Sequence, residues 1–134
     1  MKPSQSLALL LASACGGGTQ LAPTGPHPPH VQEFVEVPFP PPPAQIEELP
    51  EQLDDPDCAW VSGEYRFRDR HWVWEPGRWV HPPEGCYHAP PVVAWSKTGE
   101  PRLYYSPSGW YLEDALAKSG SAAACPAPRA CSAR

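Results

Sequence analysis

Cysteine and histidine are the side chains here most able to do chemistry, with 5 of each. Cys58, Cys86, Cys125 and Cys131 are four thiols, and in an oxidising compartment four thiols make two disulfides, with three pairings open. Cys58 and Cys86 bracket the aromatic middle of the chain. A bond between them would close a loop of about 29 residues and contribute roughly 3–4 kcal/mol. Cys125 and Cys131 share a small-residue tail and most simply pair with each other. His27, His30, His71, His81 and His88 form no metal signature. Cys86-Tyr87-His88 has ligand types, but no second pair stands at zinc spacing. No metal and no cofactor is expected. Neither a Gly-x-Ser-x-Gly elbow, a phosphate loop nor a His-Glu-x-x-His helix occurs. Glu64 and Glu75 come nearest to a carboxylate pair, and charges on the outer face of a sheet account for them. The chain is read as non-enzymatic.

Rings are the other chemistry on offer. All 6 tryptophans and 5 tyrosines lie between residues 60 and 111. Stacking needs flat π-faces held rigidly, which a row of sheet residues provides. Trp60, Tyr65, Trp72, Trp74 and Trp79 are the candidate platform. Such a row suits a polymer with repeating apolar faces, a glycan strand or a proline-rich peptide, and Pro40 to Pro43 of the chain itself is the nearest candidate. The competing assignment makes the rings the core, since a 50-residue sheet has few other means of stability. Arg66, Arg68, Arg70 and Arg78 supply a polar rim or cation–π partners.

The elements that must position these rings are strands. Tyr65 and Phe67 alternate with Glu64, Arg66 and Arg68. Trp72 and Trp74 alternate with His71, Val73 and Glu75. Period two of this kind is strand patterning. Trp60, Gly63 and Tyr65 recur 14 residues later as Trp74, Gly77 and Trp79, a short internal repeat. Gly63 and Gly77, the latter behind Pro76, read as tight turns, because glycine accepts the positive φ of a type II turn. Arg68-Asp69-Arg70 is the turn between. These signals predict a meander of strands at 58–62, 64–68, 71–75 and 78–81, extended by 91–95 and 102–105. The expected fold is mainly β: a small antiparallel aromatic-rich meander with a proline-rich disordered tether and a disordered C-terminal tail.

The motif Trp74-x-x-Gly77-x-Trp79 resembles the YXWGXW (WXXGXW) repeat proteins, small secreted or lipid-anchored proteins of Gram-negative bacteria. The likeness covers roughly residues 58–90, and the first copy departs from it with Tyr65 where tryptophan is usual. The resemblance implies an envelope location and a β-rich repeat, and no reaction. The N-terminus agrees. Lys2 precedes an apolar run, Leu7 to Ala12, too short for the roughly 20 residues of a membrane span. Leu11-Ala12-Ser13-Ala14-Cys15 resembles a bacterial lipobox, in which the cysteine is lipidated before cleavage. Gly16-Gly17-Gly18 is then a flexible spacer.

The expected organisation is a lipoprotein signal at 1–14, a tether at 15–57, the aromatic β domain at 58–111, a short helix at 112–118 and a tail at 119–134. The tether is rich in proline, 21 copies in the whole chain, and carries an acidic run: Glu47, Glu48, Glu51, Asp54, Asp55 and Asp57. It is read as a semi-rigid linker, with Val31–Val37 able to pair as an edge strand. Net charge is −5, which gives no electrostatic footprint for nucleic acid. The function expected is a non-catalytic, lipid-anchored binding or structural module of the cell envelope. It sits at the outer membrane, facing periplasm or surface, with the membrane and a glycan or proline-rich peptide as partners. The alternative is an accessory or enzymatic protein acting on envelope polysaccharide or peptidoglycan.

Overall fold

The computed structural model describes residues 18–29, 32–116 and 124–132. Cys15, with the whole signal segment, lies outside the described residues, as do His30 and Val31. The chain is mainly β, with small antiparallel sheets and clustered aromatic rings.

Four strands at its centre are β2 (Ala59–Val61), β3 (Glu64–Arg68), β4 (His71–Glu75) and β5 (Arg78–His81). Period two places β3 and β4 where the alternation predicts them, and β5 occupies the expected 78–81. The order of pairing differs from a meander. β3 pairs with β4, Tyr65 opposite Trp74 and Phe67 opposite Trp72. β2 pairs with β5 instead of β3, Trp60 opposite Trp79. One register runs through both pairs, so residues 59–81 form a single long hairpin with a gap in its ladder. The turn is Asp69-Arg70, both left-handed at φ 49 and 67, the combination that matches the twist of a two-residue hairpin.

The gap falls at Ser62-Gly63 and Pro76-Gly77. These glycines are therefore not turns. Among the described residues, positive-φ glycines are Gly85 and Gly99. Gly63 and Gly77 are required by close approach instead. A Cβ built on Gly63 would overlap the Trp74 indole, and one on Gly77 would overlap the Trp60 indole. Each repeat thus supplies a tryptophan to cover the other repeat's glycine.

Two further sheets pack around the hairpin. β6 (Cys86–Ala89) pairs with β9 (Gly109–Leu112). β7 (Val92–Trp95) pairs with β8 (Leu103–Ser106), whose other edge takes β1 (Val35–Val37). The strand foreseen at 31–37 is thus formed over its last three residues. Val37, Leu103 and Tyr105 bury themselves against Phe67 and Trp72 of the hairpin, while Ala22, Ala59, Val61, Val80, Cys86 and Trp110 make the second core cluster. Of the helix expected at 112–118, Leu112 belongs to β9 and Glu113–Leu116 is a 3-10 turn; residues 117 and 118 lie outside the described residues.

The described parts of the tether and tail are bonded to these sheets. Residues 20–22 run parallel to β2: the Trp60 amide donates to Gln20 and the Ala22 amide to Trp60. Residues 23–25 do the same for β6 through His88. Proline removes a donor but keeps its carbonyl. Those carbonyls accept here: Pro23 from the His88 amide at 2.8 Å, Pro26 from the Tyr87 hydroxyl at 2.7 Å and Pro50 from Thr19. At the other end, β10 (Arg129–Ala130) adds to the free edge of β5.

This placement corrects the disulfide pairing. Cys58 bonds Cys131, and Cys86 bonds Cys125. β10 lies beside β5, itself paired with β2, so Cys131 arrives next to Cys58. The Cys125 amide donates to Trp110 of β9, the strand paired with β6, which brings Cys125 to Cys86. Cys58 immediately precedes β2 and Cys86 opens β6, strands of different sheets.

Candidate functional site

The five candidate rings pair edge-on across the long hairpin. Trp60 meets Trp79 at 5.6 Å between centroids and Tyr65 meets Trp74 at 5.0 Å. Phe67 meets Trp72 at 5.1 Å, and Trp72 continues to Tyr105 at 5.0 Å. These are the favoured edge-to-face geometries, each stabilising by about 0.5–1.5 kcal/mol beyond area burial. All five platform residues are half-buried. They are neither a sealed core nor a bare face.

Trp60, Tyr65, Trp72 and Trp74 line one half-open cavity of about 600 Å³. Trp79 does not reach it and serves as the backing for Trp60. Pro41, Pro42 and Ala44 of the tether also line it, with Pro90, Pro91 and Val93. The Trp72 indole N–H donates to the Phe39 carbonyl at 3.0 Å, and Phe39 meets Phe67 edge-on. The polyproline stretch therefore lies against the aromatic row, supplying part of the groove's own lining. The Trp60 indole nitrogen is buried without a hydrogen-bond partner.

Two titratable residues that the sequence reading sets aside share this cavity, Glu64 and His88. Both are buried, with His88 Nε2 3.8 Å from Glu64 Oε2. Strand parity predicts an outer-face charge at Glu64, but the side chain is buried, and the Ser108 hydroxyl, distant in sequence, donates to its carboxylate. Burial lowers the His88 pKa below its ordinary value; Glu64 raises it, while Arg78, Arg66 and His27 reinforce the lowering. The imidazole is thereby held neutral. Glu64 also stands directly opposite Glu75, a repulsive arrangement on its own. Arg66 resolves it by bridging the two, at 3.1 Å to Glu64 and 2.7 Å to Glu75. Arg68 adds a contact to Glu75.

The residue that sequence reasoning missed is Glu47, in the acidic run read as solvated. Its carboxylate accepts from the Gly63 amide through Oε2 and from the Gly77 amide through Oε1, both at 2.7 Å. The two donors are the repeat glycines, freed by the gap in the ladder. No sequence signal marks Glu47 among its acidic neighbours.

The remaining candidates sit elsewhere. His81 Nε2 lies 3.8 Å from Cys58 Sγ and 3.6 Å from Asp55. Cys58, His81 and Cys131 cluster closely, but both sulfurs are tied up in the disulfide. His27 contacts Tyr111 and the Pro90 carbonyl, and His71 the carbonyl of Asp69. No family model, curated protein or solved structure matches this chain.

Proposed function

We propose that this chain is a non-catalytic, lipid-anchored binding module of the cell envelope, of the YXWGXW repeat type, whose aromatic groove takes extended proline-rich peptide. One observation carries the reading of the groove: half-buried tryptophans line it, and the chain's own polyproline stretch already lies along it, with an indole N–H on a main-chain carbonyl. This is the way aromatic grooves take polyproline II helices, through ring-on-pyrrolidine packing and a tryptophan donor. The envelope location rests on Leu11 to Gly18 and the anchor on Cys15. Two nested disulfides suit an oxidising compartment.

The alternative, action on envelope polysaccharide, has one observation in its favour, the Glu64–His88 pair at the cavity. Against it, one oxygen of Glu64 is already occupied by Ser108 and Arg66. The two readings separate in one set of measurements on the disulfide-bonded chain. A synthetic proline-rich decapeptide should shift the tryptophan emission, and Trp72→Ala should weaken that binding at least tenfold. A glycan oligosaccharide shifting the emission where the peptide does not would overturn the peptide reading. Release of reducing ends from peptidoglycan, lost in Glu64→Gln, would establish an enzyme. For the anchor, Cys15→Ser should abolish metabolic palmitate labelling, and equal labelling of mutant and wild type would refute it.

A further inference from the structure

The two amides that hold Glu47 have the construction of a ligand site. Gly63 and Gly77 occupy equivalent positions in the two repeats, and antiparallel pairing relates those repeats by a local two-fold axis. A carboxylate has the same symmetry. Each of its oxygens takes one N–H, at 2.7 Å on both sides. Charge-assisted hydrogen bonds of this length are about twice as strong as neutral ones. The ladder stops at Val61 opposite Arg78 and resumes at Glu64 opposite Glu75, so neither glycine amide has a strand partner to compete for it. Trp74 closes one side over Gly63 and Trp60 the other over Gly77. Aromatic edges carry the positive part of the ring quadrupole and tolerate an anion beside them.

We propose that the paired amides of Gly63 and Gly77 are a carboxylate-binding site, and that its ligand is an extended peptide carrying an acidic side chain five residues beyond a pair of prolines. The proposal rests on the groove reading above and adds the polar half of the recognition. The spacing is read from the occupant that the chain itself supplies: Pro41 and Pro42 line the groove while Glu47 fills the notch. Glu47 is half-buried, and its neighbours Ile46 and Glu48 are exposed, so this occupant is held by its carboxylate and not by packing of the residues beside it. It is tethered, so it competes at high effective concentration. A free peptide therefore binds the wild-type chain more weakly than a chain in which Glu47 is silenced.

The test uses the disulfide-bonded Glu47→Gln chain and a synthetic peptide of residues 38–48. Tryptophan emission should report binding at least tenfold tighter than to the wild-type chain. The same peptide with glutamine in place of Glu47 should bind at least tenfold more weakly. A third peptide, with Pro41 and Pro42 changed to alanine, tests the groove separately. Equal affinity of the glutamate and glutamine peptides overturns the carboxylate site and leaves the groove standing if the alanine peptide fails. Binding of the alanine peptide as tight as the parent, with the glutamine peptide weak, overturns the groove alone. No binding of any peptide by a folded Glu47→Gln chain overturns both. Should that chain fail to fold, excess parent peptide restores its near-ultraviolet circular dichroism and the glutamine peptide does not. Absence of rescue by either overturns the proposal.

Discussion

Gly77→Ala inverts the usual consequence of replacing a glycine. At a conformation that alanine adopts freely, the change stabilises by about 0.4–1 kcal/mol, because the unfolded chain has less freedom to lose. Gly77 is at such a conformation, since it is not among the residues with positive φ. Its added methyl, however, would overlap the Trp60 indole and come within 2.9 Å of the Glu47 carboxylate. The carboxylate is the end of a flexible side chain and can shift. The indole is wedged edge-on against Trp79, with its nitrogen buried. Overpacking of this kind costs about 1–3 kcal/mol. The net expectation is destabilisation by about 1–2 kcal/mol, or roughly 5–10 °C in Tm for a domain of this size. Thermal unfolding with the disulfides intact measures it. A double-mutant cycle identifies the cause. In a Trp60→Phe background the Gly77→Ala cost should shrink by about 1 kcal/mol, whereas Gly63→Ala, which meets Trp74, should keep its full cost. Gly18, with open space around it, is the neutral control. Gly77→Ala within about 0.5 kcal/mol of wild type, or a cost indifferent to Trp60, would refute the packing account.

Non-reducing peptide mapping should recover Cys58 cross-linked to Cys131 and Cys86 to Cys125. From separations of 73 and 39 residues, serine replacement of each pair should cost about 4.4 and about 3.9 kcal/mol in the chain-entropy model; a Cys58–Cys86 peptide would refute the topology. Stability should fall as pH drops below about 6.5: unfolded His88 then takes up a proton that buried His88, its pKa lowered, takes up only at lower pH, so the native state gains stability above 6.5 and loses it through the lowered value. His88→Gln should flatten that part of a urea-midpoint profile between pH 7.5 and 5, and an unchanged slope would assign the pH dependence to other groups.

Why some of this was legible and some not follows from range. Alternation at period two is a local signal, and it placed β3 and β4 at the residues where they occur. Pairing between strands is not local. Gly63 and Gly77 carry the residue type of a turn, but glycine answers two different needs, a left-handed φ and the absence of a side chain. Only the register, Trp60 on Trp79 and Tyr65 on Trp74, shows which need applies. The 14-residue period was visible in the sequence as repetition. In three dimensions it is a two-fold relation, each copy covering the glycine of the other, and that reciprocity explains why the repeat occurs as a pair. The tether misled for a related reason. Proline-rich sequence cannot build a ladder of its own, which reads as a linker. Yet a segment of carbonyls without donors is a ready acceptor for Trp72, Tyr87, Thr19 and the His88 amide. The same segment brings the carboxylate that satisfies the two amides left free by the ladder gap. Rings, glycines and tether therefore solve one problem together: an isolated two-stranded hairpin is marginal in water, and this one is covered on its apolar side by the proline-rich segment that its own aromatic row attracts.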